Sequence, residues 1–211
     1  YGMTETAPVS AQSSTADSIE QRVTTVGRVH PHLEVKIVDE DGKVVPRGQL
    51  GELCVRGYSV MLGYWEDQDK TAEVIDNARW MHTGDIAEMD DEGFVKIKGR
   101  IKDVVIRGGE NLFPKEIEDF LYTHPAVSDV QVIGVPDHKY GEELCACIIL
   151  HENDPCTEET IRQYCAEHIS HNKVPRYVRF FHEFPMTASG KAQKFKLREF
   201  MREELNLKEI A

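Results

Sequence analysis

Gly99-Arg-Ile-Lys-Asp-Val-Val-Ile-Arg-Gly-Gly-Glu-Asn-Leu-Phe-Pro-Lys-Glu-Ile-Glu118 is the stretch on which the reading of this chain turns. It opens with a strand-like GRIKDVVI and breaks at Gly108-Gly109. A helix is then predicted with Pro114 in its first turn, where a missing backbone N–H costs nothing. Before this stretch, short strands alternate with turns. After it, strands alternate with amphipathic helices. The polar Arg100-Ile-Lys-Asp103 sits at the change of character, so it reads as a hinge between two domains, 1–100 and 101–211.

Upstream, residues 1–29 are polar and rich in Ser and Thr, with one short helix expected around Ser18–Val23. Leu33, Val35 and Ile37 alternate with polar residues, and Asp41-Gly42 marks a hairpin turn before Val44-Val45. Further strands are expected at Leu50–Arg56 and Phe94–Lys98, with a short helix over Asp69–Asp76 between them. His82-Thr-Gly-Asp85 reads as a carboxylate after a glycine turn. Trp65 and Trp80 read as packing residues. Many short strands with turns imply a small barrel-like β subdomain.

Downstream, Ile117, Phe120 and Leu121 share one helical stripe after Pro114. Val127–Val135 and the apolar run Leu144–Leu150 read as strands, the second buried on both faces. Thr157 caps a helix carrying Ile161, Tyr164, Cys165 and Ile169 on one side. Tyr177–Phe184 reads as a strand. A last helix over about 194–205 is expected to face Leu197, Phe200, Met201 and Leu205 inward. The fold class is α+β, with a compact C-terminal domain of ordinary size.

The chain has 211 residues, 40% of them hydrophobic and 29% charged, with 25 basic against 37 acidic side chains and a net charge of −12. That balance argues against nucleic acid, whose phosphates need a basic surface. It leaves room for a small phosphorylated ligand, which needs only a few local donors. No apolar run approaches the roughly 18 residues of a membrane span. The five cysteines form no Cys-x-x-Cys pair, and Cys145 and Cys147 fall on one face of a buried strand. Reduced thiols, and hence a reducing compartment, follow. His168 and His171 lack a third metal ligand. The sequence is silent on oligomeric state.

Four short motifs carry candidate chemistry: Tyr1-Gly-Met-Thr-Glu5, His82-Thr-Gly-Asp85, Gly99-Arg-Ile-Lys-Asp103 and Pro185-Met-Thr-Ala-Ser-Gly-Lys191. Pro185 and Ala192 break the pattern of a Walker loop. No G-x-G-x-x-G fingerprint of a dinucleotide enzyme is present. In this order, the four motifs resemble the adenylate-forming superfamily. So do the linking segments Gly51-Glu-Leu-Cys-Val-Arg-Gly-Tyr-Ser-Val-Met-Leu-Gly-Tyr-Trp65 and Val132-Ile-Gly-Val-Pro-Asp137. Within it, Arg56–Trp65 and Ile106-Arg-Gly-Gly-Glu-Asn111 look most like the medium- and long-chain fatty acyl-CoA synthetases, particularly the group containing acyl-CoA synthetase family member 2.

The resemblance implies ATP-dependent ligation of a fatty acid to coenzyme A through an acyl-adenylate. It implies ATP, Mg²⁺ and coenzyme A as cosubstrates and no tightly bound prosthetic group. Tyr1 would stack on adenine, Thr4 would bind the α-phosphate, and Glu5 would help hold Mg²⁺. Asp85 would take the ribose hydroxyls, with Arg100 reaching the sugar or phosphate. Lys191 would be the catalytic lysine. Lys102 would be the hinge, where some relatives carry Asp, and Arg107, Gly108 and Gly109 would border the path of the coenzyme A thiol. The family's Ser/Thr/Gly-rich phosphate loop does not occur in these residues. Tyr1, lying inside a functional loop with no initiator Met, therefore suggests the C-terminal part of a longer enzyme, inactive alone. Cytoplasm is the expected compartment and the mitochondrial matrix its alternative. Two other readings remain open at this stage: an adenylation module serving a carrier protein, and a non-catalytic C-terminal binding or regulatory module.

Overall fold

The alternation beginning at Leu33 does form a strand, and its neighbours build an antiparallel sheet around it. In the computed structural model, residues 1–152, 155–188 and 190–207 are described. The chain divides into two compact units, Tyr1–Lys102 and Asp103–Ala211. The first holds β1 (Ala11–Gln12), α1 (Ile19–Thr24), β2 (Arg28–Val29), β3 (Leu33–Val38), β4 (Gly51–Gly57), α2 (Gln68–Val74), β5 (Met81–Met89) and β6 (Val95–Arg100). The second holds β7 (Val105–Arg107), β8 (Glu110–Leu112), α3 (Pro114–Leu121), β9 (Val127–Asp137), β10 (Gly141–Leu150), α4 (Glu158–His168), β11 (Tyr177–Phe180) and α5 (Lys194–Glu204).

In the first unit β3-β4-β5-β6 form an open four-stranded sheet, and the outer strands β3 and β6 do not meet to close a barrel. Ile37, Leu53, Val55, Met81, Ala87, Met89 and Val95 bury one face with Val60 and Ile75. Ser18 caps α1 and Gln21 returns the bond, a capping box that satisfies two otherwise orphaned donors. Asp67 caps α2. Trp80 packs as expected, flanked by Lys36 at 4.6 Å and Arg56 at 4.5 Å. Trp65 does not: it is 89% exposed, on the turn between the paired residues Tyr64 and Asp67. Past the Asp41-Gly42 turn, Val44 makes only a single bridge to Val38 and stays exposed, so no strand develops there.

The nine-residue β5 is the main element absent from the sequence reading. Its polar His82, Thr83 and Asp85 mask the alternation, so the motif read as a turn lies inside a strand. The run GRIKDVVI is likewise not one strand. It ends as β6, makes a short 3-10 turn over Ile101–Asp103, and resumes as β7. A strand needs a partner: β6 pairs with β5, whereas β7 pairs with β8 and β10.

In the second unit β10 is central. β9 runs antiparallel along one edge, and β11 pairs in parallel on the other. Leu144, Ala146 and Ile148 meet Ile117 and Leu121 of α3 and Ile161 and Cys165 of α4. Cys145 and Cys147 point the opposite way, toward Phe184 and the α5 residues Leu197 and Met201. Helices on both faces explain why this strand is an unbroken apolar run. Pro114 occupies the first position of α3, and Thr157 caps α4 through Thr160 N. β11 stops at Phe180 instead of Phe184, because its ladder with β10 ends at the Ile148–Phe180 pair. Phe200 is not inward as expected: it is half exposed, edge-on to Phe181 at 5.5 Å between ring centres.

Candidate functional site

The site in the first unit is built on a bulge in β5. Between the pairs Glu52–Ile86 and Cys54–His82 of the β4–β5 ladder, Leu53 alone faces Thr83, Gly84 and Asp85. Extra residues in one strand leave backbone groups without ladder partners and re-aim side chains. Gly84 adopts φ +70°, a left-handed conformation that favours glycine. The displaced backbone groups are then satisfied by side chains. Gly84 N donates to Glu52 Oε1 at 2.9 Å, and Asp85 N donates to Thr83 Oγ1 at 3.1 Å. Thr83 Oγ1 donates in turn to Leu53 O at 2.7 Å. The other Glu52 oxygen accepts from His82 Nδ1 at 2.7 Å.

Asp85 is presented by this bulge and is nearly buried, 8% exposed. Its Oδ2 accepts the Tyr1 hydroxyl. Its Oδ1 lies 3.4 Å from Nε of Arg100, its register partner on β6. Burial, then the bond to Asp85 and its charge, hold the Tyr1 phenol well above its ordinary range, so it stays a donor. Three residues far apart in sequence thus converge: Tyr1, Asp85 and Arg100.

Tyr1 itself is pinned by its carbonyl, which accepts from Ser10 N at 2.8 Å and Ala11 N at 3.1 Å. Thr4 and Glu5 lie in the following 3-10 turn, Thr4 exposed and Glu5 half-buried. Glu5 Oε1 accepts the Tyr64 hydroxyl at 3.0 Å, and Glu5 O accepts Met61 N at 2.8 Å. The linking segment up to Trp65 therefore holds the first motif in place.

Lys102 is exposed in the 3-10 turn, at the last position of the first unit. The residues around it are fastened within their own units, Arg100 to Asp85 and Asp103 to Arg198 Nη2 at 2.7 Å.

In the second unit, Gly108 and Gly109 make the β7–β8 turn with φ of 60° and 86°. Arg107 beside them is largely covered. Its Nε and Nη2 make a bidentate pair with Glu143 at 2.8 and 3.0 Å, and it lies 4.5 Å from the Tyr140 ring centre. Lys191 is exposed on a small loop closed by its own backbone. Thr187 N donates to Lys191 O at 2.8 Å, Lys191 N donates to Thr187 Oγ1 at 3.0 Å, and Met186 pairs with Ala192. Ser189 of this motif lies outside the described residues.

The residues that sequence reasoning missed are those that hold others: Glu52, Thr83, Tyr64 and Glu143. Glu52 and Tyr64 lay inside the linking segment already singled out. Glu143 carried no local signal, because its partner is 36 residues away.

Comparison with known proteins decides the family. The AMP-binding enzyme model matches residues 1–65, and the model of the AMP-binding enzyme C-terminal domain matches residues 116–191. The chain belongs to the AMP-binding, adenylate-forming enzymes. Among relatives of this family, the mitochondrial medium-chain acyl-CoA ligase ACSF2 of Bos taurus is 54% identical over 98% of this chain and 34% of its own. The putative acyl-CoA synthetase YngI of Bacillus subtilis is 52% identical over 98% of this chain and 38% of its own. The crystal structure of ATP-bound MatB from Rhodopseudomonas palustris superposes with a TM-score of 0.90, at 34% identity, over 97% of this chain and 40% of that one. The chain spans about a third of the length of the curated relatives it matches.

Proposed function

We propose that the protein to which these residues belong joins a medium- or long-chain fatty acid to coenzyme A through an acyl-adenylate. The observation that carries the reading is the meeting of Tyr1, Asp85 and Arg100 at one bulged strand. In the first half-reaction, a carboxylate oxygen attacks the α-phosphorus of ATP and pyrophosphate leaves. In the second, the coenzyme A thiol attacks the acyl carbon, giving the thioester, AMP and a proton.

Asp85 takes the ribose diol, because a carboxylate offers two acceptors to two hydroxyls. Tyr1 stacks on the adenine and Arg100 reaches the sugar or phosphate. Thr4 bonds the α-phosphate. Glu5 would hold Mg²⁺ as a hard oxygen donor through its carboxylate, whose Oε1 also accepts from the Tyr64 hydroxyl. When bound, the ion offsets phosphate charge.

Lys191 bridges carboxylate and phosphate in the adenylation transition state, where two anions come together and a mobile ammonium is worth most. It must then clear the thiol's route. A swing of the C-terminal domain (residues 101–211) about Lys102 does this, and exchanges the lysine loop for Arg107-Gly108-Gly109. Residues 1–100 act as part of the nucleotide-binding domain.

The names of the vertebrate relatives include "mitochondrial", which supports the mitochondrial alternative. Among the described residues, no helix is long and apolar enough to cross a membrane.

The test is product analysis with the full-length protein, ATP, coenzyme A and acids of graded chain length. Acyl-CoA with AMP and pyrophosphate supports the reading. ADP release, or no thioester from any acid, contradicts it.

A further inference from the structure

We infer that Glu52 and Thr83 are positioning residues of the nucleotide site, setting the place of Asp85 without touching the nucleotide. The inference rests on the reading of Asp85 as the ribose ligand. Its own basis is the set of side-chain hydrogen bonds that hold the bulge.

A buried backbone N–H or C=O must find a partner, and in a bulge the ladder cannot supply it. Here Glu52 takes the N–H of Gly84, the residue directly before Asp85. Thr83 takes the N–H of Asp85 itself and ties the same turn to Leu53 O across the strand. The two side chains therefore fix the peptide groups on both sides of Gly84, at a φ that other residues rarely adopt. His82 holds the far oxygen of Glu52 and keeps that carboxylate aimed at Gly84.

Glu52, Cys54 and His82 also place their ligand atoms within 4.8 Å of one another, a spacing that suits a divalent metal. The hydrogen-bond account favours the clamp. Each Glu52 oxygen accepts one bond that holds the bulge, Oε1 from Gly84 N and Oε2 from His82 Nδ1.

The experiment is steady-state kinetics of the full-length protein, with KM for ATP, KM for the acid and kcat read separately, alongside thermal unfolding. Glu52→Ala is expected to raise KM for ATP by about tenfold and leave KM for the acid unchanged. Glu52→Gln keeps an oxygen for Gly84 N and is expected to stay within about threefold of the unsubstituted protein. Thr83→Val, which keeps shape and removes only the hydroxyl, is expected to raise KM for ATP by about fivefold. It also carries the test should Glu52→Ala fail to fold. Asp85→Ala serves as the reference for the site. If Asp85→Ala raises KM for ATP while folded Glu52→Ala or Thr83→Val leaves it within twofold, the positioning role is overturned and the nucleotide reading survives. If Asp85→Ala itself leaves KM for ATP unchanged, the ribose assignment falls and the positioning role falls with it.

Discussion

Asp85 and Lys191 are the two ends of the proposed chemistry, and they are held in opposite ways. Asp85 is nearly buried on a strand, bonded to Tyr1 and paired with Arg100, with its backbone fixed by Glu52 and Thr83. Lys191 is exposed on a loop that is closed mainly by its own backbone bonds to Thr187. The difference fits two tasks. A nucleotide must be gripped through both half-reactions, so its anchor is built in advance. A lysine used in only one half-reaction needs a carrier that can leave. The stability of the anchor is a property of the first unit's sheet, whereas the lysine's effect depends on where its unit takes it.

The largest expected effect breaks the mobile side of this comparison. Lys191→Ala is expected to slow acyl-adenylate formation by about 10²–10³, the range for removing one transition-state electrostatic contact. Fatty-acid-dependent exchange between pyrophosphate and ATP measures it. A loss under tenfold removes the lysine from the catalytic role.

Next comes the support beneath the glycine turn. Arg107→Ala leaves the carboxylate of Glu143 buried with Arg176, at 3.8 Å, as its one remaining ion-pair partner among the described residues. Stranding one member of a buried pair costs about 3–5 kcal/mol, and Arg176 places this case near the lower end. Denaturant unfolding checks it. A change below about 1 kcal/mol means that Arg107 is available to a ligand instead of committed to the fold.

A smaller effect sharpens the role of the pivot. Lys102→Pro restricts one backbone torsion where the two units join. Thioester formation from supplied acyl-adenylate is expected to fall about tenfold, while adenylate formation stays near normal. Normal rates in both steps would move the pivot elsewhere.

The smallest is an alkaline effect on the anchor. The folded protein holds the Tyr1 phenol protonated, above its ordinary value of 10.0. The unfolded chain releases that proton near pH 10, so between there and the folded value the native state binds more protons. Stability contributed by this group is complete below pH 10 and declines as pH rises further. Tyr1→Phe removes that decline. Melting curves at pH 9 and pH 10.5 are expected to differ more for the unsubstituted protein than for the variant, and equal differences would contradict the buried bond.

Much of this was legible in the sequence, for definable reasons. Two helix starts were marked by Pro114 and Thr157, residues whose ring or side chain does there what the backbone cannot. β10 was marked by its unbroken apolar run, the pattern of a strand covered on both faces. β5 was hidden because a strand that presents polar groups breaks its own alternation. The GRIKDVVI run misled because strand propensity says nothing about partners, and its two halves pair in different units. The family order of motifs pointed to Asp85, Arg100 and Lys191, but not to what holds them. Glu52 and Glu143 act across ladders, and a single sequence does not display which strands are neighbours.

The most direct measurement of the contrast between a fixed anchor and a departing lysine supplies acyl-adenylate and coenzyme A to the full-length Lys191→Ala protein. Thioester formation within about threefold of the unsubstituted rate is predicted, because the lysine has left before the thiol attacks. A loss as large as that in the adenylation step would contradict the account and place Lys191 at the reacting centre throughout.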